Sequence, residues 1–169
     1  MSRPSPAREG EARATRKDVH ERALGLLAVR MRSRRELERR LTQAGFEADE
    51  VDGELARLEA VGLIDDHAFA RAVVESRVGH RGEARRVVAM KLGQAGVAPA
   101  VVLEALDEVA GEDGERAEAV AKARVSRLRG LEPRVAHQRL YGFLARRGYG
   151  PEVARDAARK ALAPESDEG

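Results

Sequence analysis

The chain has 169 residues, of which 36% are charged and 3% are aromatic, and its 31 basic and 29 acidic side chains leave a net charge of +2. Five aromatic residues are too few to anchor a large sheet core, and the remaining composition favours helices. Cysteine is absent, which excludes disulfides and thiolate metal sites and is typical of a cytoplasmic protein. No apolar run approaches the roughly 20 residues of a membrane span, and the charged N-terminus does not resemble a secretory signal.

Cap signals mark the first three predicted helices in chain order. A capping pattern that starts at Thr15 precedes a helix at residues 16–31, and a second capping box, which starts at Ser33, opens the next helix. Ala48 begins the third helix. The charged residues 1–14 are predicted to be a disordered extension.

The end of the second helix is repeated twice downstream. The stretches LTQAGF, LGQAGV and LARRGY place Gly45, Gly96 and Gly148 at spacings of 51 and 52 residues. A glycine just past a helix end takes the left-handed backbone of a Schellman turn, in which the leucine four residues earlier contacts the residue after the glycine. A new helix starts three residues beyond each glycine, and two of these starts are prolines, which suit the first position of a helix.

Each repeated turn has a further helix ahead of it, so the chain is predicted to hold three tandem units of three helices. We place these units at residues 15–64, 65–114 and 115–163, followed by a disordered acidic tail at 164–169. Repeats of this length form stacked arrays in which each unit contacts mainly its neighbours. The predicted fold class is therefore all-α, with three tandem three-helix repeats stacked into an elongated body, straight or curved.

Basic side chains cluster where the first and second helices of each unit meet, whereas the acid-rich stretches 47–54 and 104–115 contain no base. Solvated surface charge explains a single cluster of this kind. Recurrence at matched positions instead predicts a basic stripe along the stacked units, suited to an acidic or polyanionic partner. The residues assigned to this basic stripe are Arg30, Arg32, Arg34, Arg35, Arg39, Arg40, Arg81, Arg85, Arg86, Lys91, Arg124, Arg127, Arg129, Arg146 and Arg147.

No catalytic constellation is visible in the sequence. The four histidines are scattered, and the adjacent Asp65 and Asp66 are interpreted as helix caps and not as metal ligands. Residues 79–82, GHRG, lack the Gly-Lys-Ser/Thr of a phosphate-binding loop. The helix after Gly45 is acidic, which disfavours a sequence-reading helix-turn-helix because that helix would face phosphates. We predict no enzymatic activity, no cofactor and no metal.

Residues 62–77, GLIDDHAFARAVVESR, resemble the signature of the RecX family, Gly-Leu-(Leu/Ile)-Asp-Asp-x-x-(Phe/Tyr)-Ala, and the resemblance covers roughly residues 20–162. The resemblance implies a small all-helical regulator that binds the filament of the RecA recombinase on DNA, along its groove. It further implies inhibition of the RecA ATPase, strand exchange and coprotease activities, and hence restraint of recombination and of the SOS response. The residues that match the signature are Asp65, Asp66, Phe69 and Ala70, which we interpret as mainly structural.

A stacked array offers contacts at fixed intervals, and so does a filament. Several weak contacts within one rigid body add through their effective concentration. We therefore expect a monomer that binds the RecA filament, binds single-stranded or double-stranded DNA weakly, and has no membrane partner. Two alternatives stay open, a single-strand DNA-binding helical protein that competes for DNA and a general helical scaffold for a different partner.

Overall fold

A computed structural model describes residues 6–109 and 111–163, and within these ranges the chain forms helices and no strand. The predicted all-α fold class is therefore confirmed. No described helix is long and apolar enough to cross a membrane. The α-helices in this part of the chain are α1 Pro6–Val29, α2 Arg34–Gln43, α3 Ala48–Ala60, α4 Asp66–Val74, α5 Arg85–Gln94, α6 Pro99–Asp107, α7 Asp113–Val125, α8 Pro133–Arg146 and α9 Pro151–Leu162.

Helix α1 is longer than the sequence signals predicted. It begins at Pro6, so Thr15 lies inside the helix and does not cap it, and the backbone of residues 6–14 is helical where we predicted disorder. Alanine, arginine and glutamate dominate this segment and have high helix propensity, and proline is tolerated at the first position of a helix. The predicted disorder of residues 1–5 and 164–169 lies outside the described residues.

Two helices end in tighter or wider windings. Helix α4 continues over Glu75–His80 as π-helical turns, and α7 continues over Ser126–Leu128 as a 3₁₀ turn. The π-helical segment leads into the loop that precedes α5, and it places His80 and Arg81 on the surface. This loop is part of the site described below.

The chain divides into two compact units whose limits do not coincide with the predicted repeats. The first unit contains the chain up to Ala70 together with Leu92–Val102, and the second contains Arg71–Lys91 together with the chain from Leu103 onward. The middle repeat therefore contributes to both units. Each unit has its own core.

The core of the first unit lies between α1, α2 and α3. Leu37 and Leu41 lie four residues apart on one face of α2, and both are fully buried, as helical periodicity requires. From α3, Val51, Leu55 and Leu58 complete this core. The leucine pattern in the sequence thus identifies the buried faces of both helices.

The core of the second unit lies between α7, α8 and α9. Helix α8 buries Leu140 and Leu144, the counterparts of the leucine pair in α2. Helix α9 buries Ala154, Ala157 and Ala158, which are small and remove less apolar surface from water than the valine and leucines of α3. We therefore expect α9 to be held more weakly than α3.

The three glycine turns have the predicted Schellman geometry. In each turn the amide after the glycine donates to the carbonyl of the buried leucine, and the glycine amide donates to the residue after that leucine. The first set of bonds joins Phe46 to Leu41 at 3.3 Å, Val97 to Leu92 at 3.1 Å and Tyr149 to Leu144 at 3.3 Å. The glycine φ angles are +95° at Gly45, +82° at Gly96 and +92° at Gly148.

Alanine at two of these glycines should have different costs, although both glycines have a left-handed backbone. A Cβ at Gly45 would meet no atom within 4 Å, whereas a Cβ at Gly148 would lie 2.1 Å from Val87 Cγ2. We expect Gly45→Ala to lower the free energy of unfolding by about 1 kcal/mol, through backbone strain alone. Gly148→Ala should cost a further ~1–3 kcal/mol because the valine must move. Urea denaturation of both variants measures the difference, and equal costs would contradict the observed packing.

Candidate basic docking site

The first basic cluster of the sequence is folded around a buried acid. Glu36, which is 6% exposed, accepts from Arg30 Nη2 at 2.6 Å and from Arg40 Nε at 3.0 Å, and it also pairs with Arg32. Arg32 is itself only 7% exposed and donates through Nε to the carbonyl of Leu26 at 3.0 Å. Its assignment to an exposed stripe is therefore corrected. Arg30 and Arg40 lie at the surface, but their guanidinium groups are bound to Glu36.

The environment of Glu36 stabilises its ionised form. Burial raises the pKa of Glu36, but hydrogen bonds from Arg40 and Arg32 and the charge of Arg30 lower it by more. Its pKa therefore lies below the ordinary value of 4.5. The backbone N–H of Glu36 donates to Ser33 Oγ at 3.1 Å, so the predicted capping box keeps its serine half. The glutamate carboxylate binds the arginines.

Two further arginines of the predicted stripe fasten the second helix of a repeat to the third. Arg34 donates to Asp52 at 2.5 Å and to Glu59 at 3.2 Å, both on α3. In the second unit, Arg85 donates to Asp107 of α6 at 3.2 Å. The hydrogen bond with Asp52 raises the pKa of Arg34. The acidic stretches seen in the sequence thus serve, in part, as internal partners of the basic clusters.

The two aspartates of the RecX-like signature hold helix starts. Asp65 Oδ1 accepts the N–H of Ala68 at 2.9 Å and so caps α4. Asp66 Oδ1 accepts the N–H of Arg34 at 2.9 Å, at the start of α2. Phe69 and Ala70 are buried. The contacts of these side chains are structural.

Asp66→Ala is expected to lower the free energy of unfolding by about 1 kcal/mol, because the N–H of Arg34 loses its acceptor. Asp66→Asn keeps a carbonyl oxygen in the same place and is the matched control, with a loss of a few tenths of a kcal/mol expected. Thermal and urea denaturation measure both variants. A silent alanine variant would show that the bond does not stabilise α2.

The second unit gathers basic residues around a cavity of about 340 Å³. The cavity lies between the loop before α5 and helices α7 and α8, and its lining contains no carboxylate. We call this the basic cavity. Its charged or titratable lining residues are His80, Arg81, Arg116, Arg124, Arg127 and Arg147.

An aromatic ring orders part of the basic cavity. Phe143 on α8 lies beneath two guanidinium groups, with Arg124 Cζ 4.7 Å and Arg147 Cζ 4.6 Å from the ring centroid. These cation–π contacts fix the two side chains without neutralising their charge. Arg81 and Arg127 are exposed at the cavity and form no ion pair with any described residue.

The basic surface continues beside the cavity. A neighbouring depression of about 570 Å³ shares His80, Arg81 and Arg147 with it and adds Arg146 and Lys91. Lys91 is bound to Glu83 at 2.7 Å, and Glu83 also accepts from Arg77 at 2.9 Å. Burial raises the pKa of Glu83, but the hydrogen bond from Lys91 and the charge of Arg77 bring it below its ordinary value.

The structure therefore unites only part of the predicted stripe. Arg81, Arg124, Arg127 and Arg147 meet at the basic cavity, and Arg146 lies beside it. Exposed residues outside the cavity are Arg35, Arg39, Arg86 and Arg129. Of these, Arg35 pairs with Glu38 and Arg86 donates to the carbonyl of Gly148.

Sequence reasoning missed three lining residues of the cavity, namely Phe143, His80 and Arg116. A signal existed for Phe143, because it lies four residues before Arg147 and therefore on the same face of α8. His80 and Arg116 come from other segments, and only the folded chain brings them to the cavity.

The basic cavity is suited to binding anions. Guanidinium groups offer paired donors that match phosphate and carboxylate oxygens, and the lining contains no carboxylate to neutralise them. Within residues 6–109 and 111–163, no group of three or more histidine, aspartate or glutamate side chains is arranged to hold a metal ion. The arrangement can therefore bind a phosphate backbone or an acidic protein surface.

Comparison with known proteins identifies the family. Family models described as the first, second and third three-helix domains of RecX match residues 20–58, 65–106 and 112–158. The chain belongs to the RecX family. The prediction of three tandem three-helix repeats is confirmed, since each matched domain coincides with three successive helices.

Curated relatives named Regulatory protein RecX match over most of the chain. The protein of Mycobacterium avium is 38% identical over 98% of this chain and 93% of its own length, and that of Mycolicibacterium smegmatis matches to the same extent. The protein of Corynebacterium efficiens is 38% identical over 90% of this chain and 75% of its own length.

A solved structure shares the fold. RecX from Lactobacillus salivarius superimposes with a TM-score of 0.70 over 88% of this chain and 97% of that chain, at 17% identity. A similarity at this level of identity supports the all-helical fold. The class of function follows from the curated relatives.

Proposed function

We propose that this protein is a non-enzymatic, monomeric regulator in the cytoplasm. In this proposal it binds the RecA–DNA filament along its groove and inhibits the RecA ATPase, strand exchange and coprotease activities. Family membership gives the class, since the curated relatives are named regulatory proteins. The basic cavity is the observation that supports the mode of binding, because it presents arginines and no carboxylate to an anionic partner.

A filament offers such a cavity repeated targets. DNA phosphates and acidic side chains recur along it at fixed intervals, and contacts made together by one protein add through effective concentration. A single exposed ion pair contributes at most about 1 kcal/mol, so contact with an isolated subunit is weak. The regulator should therefore prefer the assembled filament to monomeric RecA.

The same cavity supports a second candidate function, direct binding of single-stranded DNA in competition with RecA. Arginines facing phosphates would bind without sequence preference and with a strong dependence on salt. This candidate predicts a steep salt dependence of DNA binding with no recombinase present. The filament proposal predicts that DNA alone is bound much more weakly than the filament.

One titration separates the two candidates from a general scaffold. Increasing amounts of the protein are added to RecA and single-stranded DNA while ATP hydrolysis is followed, and filament binding is measured in parallel at fixed salt. Inhibition at concentrations that leave free DNA unbound supports the filament regulator. Inhibition only where the DNA itself becomes saturated supports competition. An unchanged ATPase rate contradicts both.

A further inference from the structure

The start of α2 is seated on the glycine turn of the following repeat. Within the first unit, Ser33 Oγ donates to the carbonyl of Ala95 at 2.5 Å, at the C-terminal end of α5. Arg35 covers the adjacent Gly96, since a Cβ on that glycine would lie 2.4 Å from Arg35 Cβ. A helix start thus fits onto the last carbonyl and the glycine of a Schellman turn.

The second unit contains the same joint at matched positions. The N–H of Ala84, at the start of α5, donates to the carbonyl of Arg147 at 2.9 Å, at the C-terminal end of α8. Gly148 is covered in turn, because a Cβ there would lie 2.1 Å from Val87 Cγ2, and Arg86 donates to its carbonyl at 3.3 Å. Ala84 and Arg86 lie 51 residues after Ser33 and Arg35.

The glycine turn of the first repeat has the same geometry but carries no helix start. Ala44 and Gly45 are exposed, and a Cβ on Gly45 would have no atom within 4 Å. No donor from the described ranges lies on the carbonyl of Ala44. The chain thus contains three copies of the receiving turn, and two of them are covered.

A second copy of this chain does not supply the missing helix start. The two matching starts, at Ser33 and Ala84, are already seated on turns. In the third repeat α8 begins earlier, at Pro133, and the residue that matches Ala84 is Ala136. Ala136 is buried within the helix, and its N–H donates to Glu132 at 3.0 Å. The occupant is therefore a different protein.

We propose that the Gly45 turn receives the N-terminus of a helix from the regulated protein. By analogy with the two internal joints, the inserted helix carries a small or hydroxyl residue that donates to the carbonyl of Ala44, and a basic residue two positions later. Exposed Glu47 and Asp49 open the neighbouring α3 and favour this basic residue. The identity of the partner rests on the proposed function, whereas the surface and the chemistry of the inserted helix rest on the joints.

The test uses the full chain with asparagine at Gly45. Asparagine tolerates a left-handed backbone better than other side chains, and the open space at Gly45 accommodates it in the free protein. In the complex it would occupy the place of the inserted helix. Gly62→Asn is the matched control, because Gly62 closes α3 in the same kind of turn, has φ of +75° and also has no neighbour within 4 Å.

The probe is the RecA filament on single-stranded DNA, with binding followed by fluorescence anisotropy of a labelled regulator. Gly45→Asn is expected to weaken binding at least about tenfold, and Gly62→Asn less than about twofold, at equal melting temperatures. Amide exchange at residues 43–47 should also slow when the wild-type chain binds the filament. Equal affinity of the Gly45→Asn variant and the wild type would overturn the inference and leave the proposed function standing. Failure of the wild type to bind the filament would overturn the proposed function and with it the partner named here.

Discussion

Replacing Arg81 and Arg127 together with glutamate is expected to weaken binding to the RecA filament by about 100-fold at low salt. Both side chains are exposed at the basic cavity, and neither forms an ion pair with another described residue. The substitutions therefore remove two contacts and introduce repulsion without disturbing the core. If both arginines contact single-strand phosphates, the slope of log affinity against log salt should fall by about 1.4, or about 0.7 for each phosphate contact.

The control must change the charge by the same amount. Arg134→Glu combined with Arg139→Glu does so on exposed positions of α8, in the same unit but outside the lining of the cavity. We expect a loss of less than about fivefold from this pair, because distant surface charges are screened by salt. Filament binding at several salt concentrations compares the two double variants. Equal losses would show that net charge, and not the basic cavity, controls binding.

Local rules were sufficient to predict the turns of this fold. Gly45, Gly96 and Gly148 are each preceded by a leucine that is buried and followed by a residue whose amide closes the turn. A Schellman turn depends on only six consecutive residues, so its signals are complete within a short stretch of sequence. This is why three helix ends could be placed to the residue from the sequence alone.

The start of α1 shows where local rules compete. Thr15 and Asp18 form a capping pattern, but helix formers upstream extend the helix to Pro6. A cap residue ends a helix only if the preceding residues leave the helical conformation, and an alanine- and arginine-rich segment does not.

The basic stripe was predictable only in outline, because sequence spacing does not show which charges are paired. Arg34 binds acids that lie 18 and 25 residues later, and such partners are known only once α2 and α3 pack together. Arg81 and Arg127 remain without an ion-pair partner in the described chain, although their sequence neighbourhoods are no more basic. The distinction between internal and available arginines therefore comes from tertiary structure.

Replacing Glu36 with glutamine is expected to lower the free energy of unfolding by about 3 kcal/mol at pH 7. The carboxylate is buried and binds the guanidinium groups of Arg30, Arg32 and Arg40. Arg32 is buried as well, so the neutral amide leaves a buried positive charge without its counterion. Glu38→Gln is the matched control on the same helix, because Glu38 pairs only with exposed Arg35. It should cost less than about 1 kcal/mol.

The pH dependence of the Glu36 contribution gives an independent measurement. The folded protein lowers the pKa of Glu36 below its ordinary value of 4.5, so the ionised form stabilises the fold fully above the unfolded-state pKa. As the pH falls below about 4.5 and through the folded-state pKa, this contribution is lost. Urea denaturation from pH 7 down to pH 3 should therefore show the difference between wild type and Glu36→Gln narrowing. A difference that stays constant over this range would mean that lost packing, and not lost charge, destabilises the variant.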